Sequence, residues 1–140
     1  MQRTLQRTLR NHEWTVTMTH GIHRGYDAFA NPQLLWDCME QVAGMQDRLW
    51  VCTLHDGWAY ATERDSVQLD IKANRQGHLT VTPSLPLDKK LFFHPLSLVV
   101  DGVVAEATQG GKKLPVQQKE NRSVVDFNPH GGTIKLHFQR

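Results

Sequence analysis

Apolar and polar residues alternate from Trp14 to Thr19, with Trp14, Val16 and Met18 on one side and Thr15, Thr17 and Thr19 on the other. That two-residue period predicts a strand with one apolar face, and the β-branched threonines favour the same extended backbone. The strand is expected to end at His20-Gly21, where glycine permits a sharp turn. Asn31-Pro32 then signals a helix start, and Leu34, Leu35, Cys38, Met39, Val42 and Met45 recur at helical spacing, so this helix is expected to pack one broad face. Leu49-Trp-Val-Cys-Thr-Leu54 is a short continuous apolar run of the kind found in buried parallel strands, and Asp56 is placed to cap a helix through about Arg64. Ahead of all this, Leu5 and Leu9 share one face of a short helix that also carries Arg3, Arg7 and Arg10. Residues 1–65 therefore read as helix, strand, helix, strand, helix: two consecutive β-α units of an α/β fold.

From about Asp65 the period changes. Val67, Leu69 and Ile71 alternate with polar residues, as do Leu79 and Val81, then Leu96, Leu98 and Val100 up to the turn dipeptide Asp101-Gly102. Val103 to Ala107, Leu114 to Gln118, Val124 to Phe127 and Thr133 to Phe138 follow. Gly110-Gly111, Glu120-Asn121 and Pro129-His-Gly-Gly132 punctuate them. Short strands at this spacing predict a small antiparallel β-sandwich over residues 66–140, an all-β domain behind the α/β one.

Composition narrows the partners more than the fold. The 140 residues suffice for one modest core or two small ones, and a formal net charge of +2 with scattered basic residues argues against nucleic acid. No run is apolar enough to span a bilayer and no signal-peptide core follows Met1, so neither membrane nor compartment is indicated. Cys38 and Cys52 do not make a disulfide framework and read as small buried residues.

The chemistry rests on histidine. His20, at the expected carboxyl end of a strand, suits proton transfer near neutral pH; a hydrogen-bonded structural histidine is the alternative. His23 lies three residues on, but Gly21 intervenes and no carboxylate or cysteine at ligand spacing completes a metal site. His55 and Asp56 are adjacent and are expected to point apart; His78, His94, His130 and His137 carry no assigned chemistry. No phosphate loop and no nucleophile elbow occurs.

The same stretches resemble the end of a NodB-type polysaccharide deacetylase domain of carbohydrate esterase family four. The likeness runs through Thr15-Val-Thr-Met-Thr-His-Gly21, the following amphipathic helix, Trp50-Val-Cys-Thr53 and the helix with Tyr60 and Arg64. It continues through Pro95-Leu-Ser-Leu98, Gln109-Gly-Gly111 and Asn128-Pro-His-Gly-Gly132 in a small β domain. The resemblance implies that residues 1–65 are a partial (β/α) barrel segment, that the substrate is an acetylated carbohydrate, and that His20 is the general acid. It also implies a divalent metal such as zinc for the complete domain. The family's aspartate and two histidines that hold that metal, and its aspartate base, come early in the domain; no Asp-Asp pair or His-x-x-x-His precedes His20 here. The expectation is a chain that supplies the general acid without the metal centre, contains no cofactor of its own, and meets either the rest of the barrel or a second copy along its exposed sheet edge. The alternative is a non-catalytic carbohydrate-binding or interaction module, with Tyr26, Trp58 and Phe92-Phe93 as stacking surfaces.

Overall fold

A computed structural model describes residues 2–18, 21–22, 24, 31–74 and 76–139. It divides into two compact units, Met1–Leu54 and His55–Arg140.

The first unit holds two helices. α1 (Gln2–Asn11) is followed by residues 13–18, which fold back on it: Arg7 binds the Glu13 carboxylate, and the Thr8 and Thr15 hydroxyls meet. The Arg7 guanidinium holds the Glu13 carboxyl below the ordinary carboxylate range. α2 (Gln33–Ala43) starts where its sequence predicts, but Pro32 rather than Asn31 takes the N-cap position and no side chain caps it; Asn31 Oδ1, one residue earlier, accepts the Gln33 N–H at 3.0 Å. Its apolar stripe is not covered, however. No residue of α2 is buried, and Leu34, Trp36 and Met39 are all exposed.

Two expected strands are absent here. Residues 13–18 and 49–53 lie in no sheet, and Trp14, Val16, Met18, Trp50 and Val51 are exposed. Alternation favours an extended chain with an apolar side, but a strand also needs a neighbour to exchange N–H and C=O groups with. Periodicity alone does not provide that neighbour, and among the described residues neither segment is a strand. Cys38 is half-buried and Cys52 exposed, so neither is the small buried residue expected. His20, His23 and Tyr26 lie outside the described residues.

The second unit carries the core. α3 (Leu54–Ser66) runs into two antiparallel sheets. The larger is ordered β1-β2-β8-β4-β5, from β1 (Gln68–Ala73), β2 (Leu79–Ser84), β4 (Val104–Gln109), β5 (Lys112–Leu114) and β8 (Ile134–Phe138). The smaller is ordered β3-β7-β6, from β3 (Leu96–Asp101), β6 (Val116–Lys119) and β7 (Arg122–Phe127). Val81, Val104, Ala107, Ile134 and Leu136 of the larger sheet meet Leu96, Leu98, Val125 and Phe127 of the smaller in one core. The alternating runs of the sequence thus become the strands of a two-sheet β fold.

Three details depart from the pattern. Leu114 to Gln118, read as one strand, breaks at Pro115: Leu114 pairs with Ala107 in one sheet and Val116 with Val125 in the other. Proline has no N–H for a ladder, so the chain crosses between sheets there. Asp101-Gly102 likewise links β3 to β4 across the two sheets rather than closing a hairpin. The crossing is held by buried Ser123, whose Oγ donates to Gly102 O and accepts the Val104 N–H at 2.8 Å. Finally, β1 is exposed along its whole length although Leu69 and Ile71 alternate as a buried face would. It is the edge strand of a five-stranded sheet set against a three-stranded one.

Gln109 secures the far end. Its amide donates to Asn128 O (2.8 Å) and Gly132 O (2.9 Å) and accepts the Asn128 N–H (3.0 Å). A Cβ on Gly131 would stand 2.7 Å from that amide, so the Asn128-Pro-His-Gly-Gly132 loop requires glycine for this close approach.

The residues His55–Arg140 are expected to fold as a separate polypeptide, with a dispersed amide NMR spectrum and cooperative thermal unfolding. A shorter piece starting at Val67 loses buried Ala59 and Glu63 and is expected to melt at a lower temperature. An unfolded 55–140 fragment, or equal melting of the two, would contradict this account.

Candidate functional site

Asp56, Ala59, Tyr60 and Glu63 recur at i, i+3, i+4 and i+7 and form one face of α3. Ala59 and Glu63 are fully buried, and Tyr60 packs against the core. A carboxylate on such a face must be satisfied within the protein. Glu63 Oε1 accepts the backbone N–H of His94 at 3.2 Å and lies 3.0 Å from His94 Nδ1. The backbone N–H and the imidazole Nδ1 of His94 thus converge on one carboxylate oxygen. Glu63 Oε2 is buried with no hydrogen-bond partner among the described residues.

The opposite ring nitrogen, His94 Nε2, lies 3.6 Å from Asp56 Oδ1, so the imidazole stands between two carboxylates of one helix. His55, expected to point away from Asp56, instead brings Nδ1 to 3.4 Å from the same Oδ1. Asp56 falls in the first turn of α3, where a carboxylate also meets the positive end of the helix dipole.

Loop geometry presents His94. Asp88 O accepts the N–H groups of Leu91 and Phe92, and Asp88 Oδ1 that of Lys90, which closes a tight turn. His130 Nε2 donates to Phe92 O at 2.8 Å, and Pro95 leads directly into β3. Phe93 stacks on His94 with 5.0 Å between ring centres, and Trp58 meets Phe92 at 5.6 Å. Trp58 and Phe93 remain more than half exposed, at 53% and 56%. The result is a buried carboxylate–imidazole pair beside an open aromatic surface.

Such a pair orients a histidine and can hold or pass a proton at Nε2. Sequence reasoning joined Trp58 with Phe92-Phe93, and the structure brings Trp58 and Phe92 into contact. It passed over Glu63 and His94. The available signal was the position of Glu63 on the apolar face of α3, where a charge demands a specific answer. Among the described residues no group of three or more His, Cys, Asp or Glu gathers as a metal site. No helix among them is long and apolar enough to cross a membrane. Comparison with family models, with curated proteins and with solved structures returns no match.

Proposed function

We propose that this chain is the carboxyl-terminal portion of a metal-dependent polysaccharide deacetylase, with His20 as the general acid and a small β domain attached. The observation that carries this reading is the uncovered apolar surface of the first unit. Trp14, Val16 and Met18, then the α2 stripe, then Trp50 and Val51 follow one another as extended segment, helix and extended segment. This is the order of a (β/α) barrel, whose strands are buried only when adjacent strands and helices flank them. The order of short motifs from Trp14 to Gly132 supports the same reading.

The metal implied by the resemblance finds no ligand set among the described residues, and no step is assigned to it in this chain. What the chain itself contributes is a proton, delivered by the His20 imidazolium to the amine nitrogen as it leaves the acetyl carbon. A second reading, a non-catalytic carbohydrate-binding module, draws on exposed Trp58 and Phe93, since aromatic faces stack on the apolar faces of sugar rings.

Acetate release from an acetylated oligosaccharide separates the two. The chain alone, with any divalent metal, is expected to release none. Mixed with the metal-bearing part of a NodB-type barrel, it is expected to restore release that a chelator abolishes. Chelator-sensitive turnover by the chain alone would overturn the portion reading. Sugar binding that is lost in Trp58→Ala, with no rescue of turnover, would establish the module instead.

A further inference from the structure

We propose that His78 and His137 form a two-imidazole site for a square-planar transition-metal ion, Cu(II) in the first instance, on the face of the five-stranded sheet opposite the core. It is separate from the metal centre that the deacetylase reading implies.

The register defines the pair. Leu79 lies opposite Leu136, so one step along each antiparallel strand sets His78 opposite His137. Residues directly opposite share a face, and the buried neighbours Leu136 and Val81 assign the alternate positions to the outer one. The two rings stand 4.3 Å apart between centres, with planes inclined at 47°. Two imidazoles bound at right angles to one ion, with metal–nitrogen bonds of about 2.0–2.1 Å, place their ring centres about 4.5 Å apart. A tetrahedral angle would open that to about 5.2 Å with the same bonds. The observed spacing fits the right-angled case, which among imidazole-binding ions is characteristic of Cu(II) and Ni(II).

An independent observation points to a ligand. His78 Nδ1 is buried and has no hydrogen-bond partner among the described residues. A buried nitrogen left unmatched is destabilising. Ligation through Nδ1 satisfies it.

Hydrogen bonds hold the backbone beside His78. Asn74 Oδ1 accepts the N–H groups of Gln76 and His78, and Asn74 N–H donates to His78 O. His137 lies on β8, paired on both sides by β2 and β4. Glu106 lies opposite His137 on β4 and adds negative charge; its carboxylate is shared with Lys113 Nζ at 3.1 Å. Lys135, exposed on the same face as His137, opposes a cation and lowers the affinity. Among the described residues no third protein ligand gathers, so water would complete the coordination.

Equilibrium dialysis and EPR of the full chain with Cu(II) test this directly. One ion per chain is expected, with hyperfine splitting from two imidazole nitrogens. His78→Gln and His137→Gln are each expected to weaken it at least tenfold, while His55→Gln leaves it unchanged. Should either variant fail to fold, paramagnetic broadening in the unmodified chain decides: the amides of residues 78–80 and 135–138 should fade first. Binding unaltered by both substitutions, or broadening centred elsewhere, means an adventitious ion only and overturns the proposal, as does the absence of 1:1 binding at millimolar Cu(II). None of these readouts depends on deacetylase activity.

Discussion

Glu63→Ala is expected to destabilise the His55–Arg140 unit by about 3–5 kcal/mol, because it leaves two converging donors unmatched at about 1–3 kcal/mol each. Two donors of His94, its backbone N–H and Nδ1–H, converge on Glu63 Oε1, and Glu63 has no exposed surface through which water could replace it. Removing the side chain leaves both donors unmatched and opens a void against Ala59. For a unit of this size about 4–8 °C of melting temperature accompanies each kcal/mol, so the midpoint should fall by at least about 12 °C. Glu63→Gln should cost less, because its amide oxygen still accepts from His94; only the Oε2 position changes, from an orphan acceptor to an orphan donor. The decisive measurement is a double-mutant cycle with His94→Ala. If the pair acts as a unit, the second substitution costs far less in the Glu63→Ala background than alone. A loss within about 0.5 kcal/mol for Glu63→Ala, typical of surface positions, would show that the contact holds nothing together.

The second large effect concerns turnover and rests on the deacetylase reading. In a complete enzyme containing this chain, or in the complemented mixture described above, His20→Asn should lower turnover roughly a hundredfold to ten-thousandfold, about 3–5 kcal/mol of barrier. Asparagine keeps a polar side chain of similar reach but cannot deliver a proton near neutral pH. Metal content should be unchanged, because the implied ligands lie elsewhere. The alkaline limb of the rate profile, which reports loss of the acid's proton, should disappear in the variant. His23→Asn should cost much less. Near-full activity in His20→Asn would remove the general-acid assignment, and loss of metal would turn His20 into a ligand.

Legibility followed the range of the interactions involved. Alternation at Leu96, Leu98 and Val100 and at Val124 to Phe127 marked strands correctly, because each inward residue meets a core that these runs build together. The same alternation at Trp14, Val16 and Met18 marked a strand that does not form among the described residues, since pairing depends on a neighbour that periodicity does not supply. Leu69 and Ile71 show the intermediate case: the strand forms, but its expected inner face stays exposed at the edge of the wider sheet. His94 was illegible as a site residue because its partner lies 31 positions earlier on a helix.

By itself, then, the sequence determined the local choices: the start of α2 at Asn31-Pro32, the turns at Gly110-Gly111 and Asn128 to Gly132, the helical face of α3, and the strand-forming runs after Asp65. These depend on backbone preference and on side chains a few residues apart, which the chain carries wherever it folds. Tertiary structure alone decided which strands share a sheet, that Pro115 and Gly102 are crossings between sheets, that a buried glutamate faces His94, and that His78 meets His137. Each of those joins residues distant in sequence, and the joining is set by how two sheets of unequal width bury one common core.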